Sequence, residues 1–392
     1  MINLIKYMNC SKGYCKPVLS TCFHGIVFVC VFLFSALSYA AGRQPIVIGQ
    51  SLNLSPSNSH IGKRWVAGAE IYINAINASG GINGRLLRLV TLNDEGSPNL
   101  HYKNVQTLIS DHKAVAIINC SGDAVCLASA KLAGETGVPL IGTISGSQKL
   151  YSLDKNRQVF PVRQTYAKEA ISIAMQLSSM GISKVAVLTD VKDSERVEGL
   201  ISSLPKFRVS SDVFHITLAD SNSLGAISQK LGGGTYQAVI LDLGLSSIDV
   251  LRDRGFFDRG SWPATNFSFA NDSLVALSDI FKKRLLGFTM VVPNPEAHSL
   301  PLTFEFQRNA ERYNELRAIS FEGMESYINT RICVEAIRRA GSNVNPRNIG
   351  SILRGIESFN LGGYFVSFDN PNVPASSWLE VGLKTPNGVY IK

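Results

Sequence analysis

The chain has 392 residues, 45% of them apolar and 17% charged, with a formal net charge of +8. That balance belongs to a packed globular protein and excludes a disordered one, and the length is enough for two lobes with cores of their own. The basic residues are scattered, not interleaved with aromatics on one face, which argues against a nucleic-acid partner.

Residues 1–41 read as a cleaved export signal. Lys6, Lys12 and Lys16 are its only charges, the apolar run from Ile26 to Leu37 follows, and "SYAA" offers small residues for cleavage after Ala40 or Ala41. The run has 12 residues, well short of the ~20 that a membrane-spanning helix needs. Losing three lysines lowers the net charge from +8 to +5, and Cys10, Cys15, Cys22 and Cys30 leave with the signal. Of the remaining cysteines, Cys120 and Cys126 are near enough in sequence to form a disulfide across a strand-to-helix turn, or else are two buried thiols. Cys333 falls in an apolar helical pattern and reads as a core thiol.

Ile46 to Leu52, "IVIGQSL", is a short β-branched apolar run, the pattern of a buried strand. Trp65, Val66, Ala69, Tyr72, Ile73 and Ile76 then share one helical face. That helix stops at "SGG", where Gly80 or Gly81 can take the left-handed conformation, and Asn83–Gly84 turns the chain into a strand begun by Leu87, Leu89 and Leu92. The same β-α-β unit recurs through Ala114 to Asn119, Ala124 to Glu135 and Val138 to Ile141. It restarts after Phe160 with a helix from Ala167 to Met180, the strand "KVAVLTD", a helix from Val197 to Leu204 and a strand from Val209 to Ile216. Further on come Leu224 to Leu231, "QAVILDL", Ile248 to Arg254, Ala264 to Phe269, Leu274 to Lys283 and Leu285 to Val292. Strands and helices alternating in this way imply parallel sheets covered on both faces. Two runs imply two doubly wound α/β lobes, 44–162 with 293–355 and 163–292 with 356–392, which the chain crosses between near "NRQVFPVRQTY" and "VVPNPEAHSLP". A long helix is marked by Met324, Tyr327, Ile328, Ile332 and Ala336, and the tail reads as short antiparallel strands.

Motifs for chemistry are missing. His60, His101, His112, His215 and His298 have no metal-ligand spacing, and neither a nucleophile elbow nor a glycine-rich phosphate loop occurs. No catalytic residue, metal or cofactor is expected. An exported hydrolase would need an acid, base and nucleophile brought together in space.

Four stretches carry a resemblance. They are "IVIGQSLNLSPSNSHIGKRWVAGAEIYINAINASGGINGRLLRLVTLNDEGSP", "AVAIINCSGDAVCLASAKLAGETGVPLIGTISGSQKL", "VFPVRQTYAKEAISIAMQLSSMGISKVAVL" and "SFEGMESYINTRICVEAIRRAG". Together, and in this order after an export signal, the chain resembles the branched-chain-amino-acid-type solute-binding proteins of ABC importers. The resemblance implies the periplasmic binding fold of type I, with two lobes on a three-strand hinge and a ligand in the cleft. It implies a periplasmic protein that hands its solute to an ABC permease, or a sensing module of the same fold acting on a membrane receptor.

By the same resemblance, Ser121 and Gly122 would hold a ligand's carboxylate at a helix start that Asp123 can cap, and Ser145 and Gly146 would offer close-lying amides or an ordinary turn. Tyr166 would cover the ligand or pack the hinge, Ser55 would lie in the first loop, and Glu322 would serve at the start of a helix. Leu243 and Phe269 would form an apolar wall. The acid that grips an ammonium in branched-chain members should fall near Phe267 and Ser268, but "NFSFAND" has no carboxylate before Asp272. An amide or an aromatic acid is therefore as good a ligand as an amino acid.

Overall fold

The computed structural model describes residues 44–391, apart from positions 57, 152–157, 259–261, 271–273 and 387–389. The expected export signal and Asp272 lie outside the described residues.

The first five strands are β1 (Ile46–Leu52), β2 (Leu87–Asn93), β3 (Ala116–Ser121), β4 (Leu140–Ile144) and β5 (Val159–Phe160). They form one all-parallel sheet in the order β2-β1-β3-β4-β5. Three helices connect them: α1 (Ser59–Ala78), α2 (Pro98–Ser110) and α3 (Asp123–Thr136). The corner after α1 forms as its glycines require: Gly80, Gly81 and Gly84 have φ of +92°, +74° and +74°, and Asn83 +51°.

The second sheet starts after α4 (Tyr166–Ser179). Its strands are β6 (Lys184–Thr189), β7 (Ser210–His215), β8 (Ala238–Asp242), β9 (Thr265–Ser268) and β10 (Leu285–Met290), all parallel. Between them run α5 (Glu195–Ser203), α6 (Ser221–Leu231), α7 (Leu245–Asp253) and α8 (Leu274–Ile280). The chain then returns to the first lobe as α9 (Pro301–Arg312), α10 (Phe321–Arg339), α11 (Pro346–Arg354) and a small hairpin, β11 (Phe359–Asn360) with β12 (Phe365–Val366). It ends as β13 (Glu380–Lys384), antiparallel to β10, and β14 (Tyr390–Ile391), which completes the order β14-β13-β10-β9-β8-β6-β7.

The expected boundary at residue 355 differs from the packing. Leu361, Tyr364, Val366, Phe368 and Ala375 share a core with Ile46, Ile48 and Tyr327 of the first lobe, so the last crossing lies beyond them. Ala375 and Ser376 donate their backbone N–H groups to Pro161 and Val162 at 3.1 and 3.0 Å, which sets that crossing beside the one at residues 161–165.

Helix α10 crosses α1 where both helices lack a side chain. A Cβ on Gly68 would lie 2.1 Å from the Gly323 carbonyl oxygen. Beside that crossing a buried polar ladder joins helix to sheet: Asn119 donates to Gln50 and Ser326, and Asn329 donates to Asn119, at 2.8–3.1 Å. Cys120 and Cys126 are joined as a disulfide between β3 and α3.

Cys333 is a free thiol within α10, and burial pushes its pKa from 9.0 up to about 12. Burial likewise pushes the Tyr166 phenol from 10.0 up to about 12, against the pull of Arg196 and with the help of Asp123. Both groups hold their proton more tightly in the folded chain. Their contribution to stability is therefore complete below about pH 9 and is lost as the pH rises through about 12, at ~1.4 kcal/mol per pH unit for each group. Urea midpoints should fall between pH 8 and pH 11, and Cys333→Ala should flatten the lower part of that fall. A midpoint constant over this range contradicts the assignment.

Candidate functional site

Both sheets follow the rule that the crevice of a doubly wound fold opens at the carboxyl ends of strands where their order reverses. The switch points lie between β1 and β3 in one lobe and between β6 and β8 in the other. The loops that leave these strands enclose a cavity of about 510 Å³. Asn53, Asn58, Gly96, Ser121, Gly122 and Ile144 line it from the first lobe, and Asp190, Val191, Arg196, Asp242, Leu243 and Leu245 are among those facing them from the second.

The wall on the first lobe is built around the start of α3. Gly122 is its N-cap at φ +92°, with no side chain capping the helix. A Cβ there would meet nothing within 4 Å, so the backbone angle demands the glycine while the space in front of it stays open. First-turn amides of an uncapped 14-residue helix face this end, a favourable setting for an anion. Asp123 does not supply the expected cap. It is the first helical residue, and its Oδ1 accepts the hydroxyls of Ser145 at 2.5 Å and Tyr166 at 2.7 Å.

Arg196 dominates the opposite wall. It sits in the first turn of α5, its guanidinium lies 4.1 Å from the centre of the Tyr166 ring, and it donates to the Tyr166 hydroxyl at 2.8 Å and to Asp242 Oδ1 at 3.3 Å. Burial opposes its charge, but the Tyr166 hydroxyl and the carboxylates of Asp242, Asp123 and Glu169 outweigh that and raise its pKa, so it remains a cation. Asp242 is fixed in turn by the hydroxyls of Ser194 at 2.6 Å and Thr189 at 3.0 Å. A continuous polar chain thus runs beneath the cavity from Ser145 through Asp123, Tyr166 and Arg196 to Asp242, crossing from one lobe to the other. Deeper in, Arg163 pairs with Glu325 at 3.3 Å and donates to the Ala270 carbonyl at 2.8 Å.

Of the residues singled out from the sequence, Ser121, Gly122 and Leu243 lie on the cavity wall. The other five do not. Ser55 is half-buried and donates its hydroxyl and N–H to Asn53. Ser145 is buried behind Asp123, and Gly146 is packed so closely that a Cβ would lie 2.7 Å from the Tyr166 ring. Tyr166 and Phe269 are buried and meet edge to face at 6.5 Å, forming the support under Arg196. Glu322, in the first turn of α10, pairs with Arg64 at 3.7 Å. Phe267 and Ser268 are wholly buried within β9, and the carboxylates on the cavity wall come from Asp190, Asp242 and Asp249. Sequence reasoning missed Arg196, Arg163 and Asp190. Position was a signal for two of them: Arg163 lies at the first crossing and Asp190 directly follows β6, whereas Arg196 comes only in the first turn of α5.

The structure also assembles a serine, a histidine and an aspartate. His101 Nδ1 lies 2.7 Å from Asp94 Oδ2, and its Nε2 meets the Ser129 hydroxyl. All three side chains are buried, at 2% exposure or less, so no substrate carbonyl reaches Ser129. Asp94 also accepts the Gly96 N–H at 3.0 Å, which makes this cluster the anchor of the loop that brings Gly96 to the cavity.

Comparison with known proteins agrees with this geometry. Residues 45–197 match the periplasmic binding protein family. A substrate-binding periplasmic protein from Ralstonia solanacearum is 25% identical, with 88% of this chain and 99% of that chain covered at a TM-score of 0.77. A branched-chain amino acid ABC transporter protein from Thermus thermophilus, solved with bound valine, is 15% identical over 89% of this chain and 95% of its own, TM-score 0.74. A solute-binding protein of an R. palustris ABC transporter, in complex with benzoate, is 16% identical over 89% and 95%, TM-score 0.71. No curated protein sequence matches significantly. Two parallel-sheet lobes with a cavity at their facing switch points, together with these likenesses, give this chain the fold of the type I periplasmic binding proteins and make it similar to the leucine/isoleucine/valine-binding type of ABC solute-binding proteins.

Proposed function

We propose that the protein is exported and captures a small carboxylate-bearing solute between its lobes for delivery to an ABC permease. The observation that carries this reading is the pairing of the uncapped start of α3 on one wall with the Arg196 cation on the other. A carboxylate between them takes backbone N–H groups from the first lobe and a guanidinium from the second, so the same anion rewards closure of both. Ile144, Val191, Leu243 and Leu245 give an apolar setting for the rest of the molecule. Asp190 is an acceptor for an amine or amide hydrogen, which keeps amino acids, amides and aromatic acids all in range.

A thermal-shift screen of amino acids, their amides and aromatic carboxylates tests this. A solute at about a hundred times its Kd should stabilise the protein by about 2.7 kcal/mol, a rise of several degrees in Tm. If no carboxylate in the panel raises Tm while uncharged solutes do, the anion reading is wrong. If nothing raises it, solute capture is wrong.

A further inference from the structure

The residue before Arg196 reaches across to the other lobe. Glu195 is the first residue of α5, and both of its carboxylate oxygens are used by a short turn of the first lobe that follows β4. The Ser147 hydroxyl donates to one oxygen at 2.6 Å, the Gln148 backbone N–H donates to the other at 2.8 Å, and the Lys149 ammonium stands 3.4 Å away. The turn, Gln148–Leu150, presents its own N-terminal amide to the acid, while the N-terminus of α5 stabilises the same charge from behind. Hydrogen bonds to a carboxylate are about twice as strong as neutral ones, and this carboxylate is only 18% exposed. Beside the Tyr166–Asp123 hydrogen bond already described, an apolar contact also joins the lobes: Leu245 of the second lobe packs on the cluster of Leu52, Ile61, Trp65 and Ile144 of the first. Both contacts are made by the protein's own groups.

We propose that Glu195 is a solute-independent latch that holds the two lobes together before any ligand arrives. In such a protein the closed state is the resting state, and solute enters during brief openings. Apparent affinity scales with the fraction already competent to bind, so a latch that raises this fraction tightens binding without touching the ligand.

The test is small-angle X-ray scattering on the full chain, unfolded and refolded by dialysis to strip any carried-over solute. The parent should be compact in the absence of ligand. Glu195→Ala should raise the radius of gyration by about 1 Å through hinge opening, and Glu195→Gln, which keeps an acceptor oxygen but not the charge, should fall between. Ser147→Ala removes the donor that stands nearest from the other lobe and guards against a misfolded Glu195 variant. It should shift scattering in the same direction, and the double variant should open no further than Glu195→Ala alone. An already extended refolded parent, or profiles identical in the parent and both single variants, would overturn the latch. A failed solute screen with a responsive radius leaves the latch standing and removes only the capture reading. A successful screen with unresponsive radii does the reverse.

Discussion

Replacing Arg196 with methionine should weaken the tightest solute of the panel by a factor of roughly 30 or more, the 2–5 kcal/mol that truncating one partner of a buried charge pair typically costs. The fold should survive. Asp242 keeps the hydroxyls of Ser194 and Thr189, and Tyr166 still donates to Asp123. Methionine fills the same space over the Tyr166 ring without the cation. Arg196→Lys should recover part of the loss, because it restores the charge but not the two-pronged geometry that spans Asp242 and the Tyr166 hydroxyl. Calorimetric titration reads both. Equal affinities for parent and methionine variant would remove Arg196 from the site and take the two-walled carboxylate site with it.

Gly68→Val should produce the largest loss of stability. Its Cβ would stand 2.1 Å from the carbonyl oxygen of Gly323, a contact between two backbones that no side-chain rotation can relieve. Helices α1 and α10 would have to part, and Ser326, which donates to the Trp65 carbonyl at 2.6 Å, would lose its partner. We expect a loss of at least ~3 kcal/mol, beyond ordinary overpacking because backbone has to move. Gly80→Ala is the control. It too is a glycine of this region, but open space surrounds it and only its φ of +92° resists a side chain, so its cost should be about 1 kcal/mol. Denaturation midpoints compare the two, and equal losses would contradict the close crossing.

How much of this could be read from the sequence depended on what kind of signal each element left. The strands and helices of both sheets announced themselves through apolar runs and helical periodicity, and the Gly80–Gly84 corner through its glycines. Helices α9 and α11 were not foreseen. Their buried stripes are narrow, chiefly Leu302, Phe306 and Ala310 in one and Ile349 and Leu353 in the other, and each opens with a proline in a stretch dominated by turn residues. The cavity followed the same logic. Ser121, Gly122 and Leu243 stand where strands end, a place the fold class itself marks. Arg196 lay hidden in "KDSER", one charge among several in a short polar stretch. Tyr166 was foreseen as a residue of interest, but its hydroxyl is held by Asp123, a partner 43 positions away in the other lobe. No local pattern carries such a distance.

The seating of β13 bears on how the chain can be made. Strand β10 has β9 on one side and receives its other neighbour only from Glu380–Lys384, after the chain has left to build α9, α10, α11 and the small hairpin. While a ribosome is still releasing those helices, the second sheet is a half-sealed platform with an open row of backbone donors and acceptors along β10. The two lobes are therefore not beads finished one after the other. Each waits on the other, and closing the sheet is a long-range step of the slow kind that high contact order imposes. Until it happens, the edge along β10 needs either speed or an escort to keep it from pairing with a stranger.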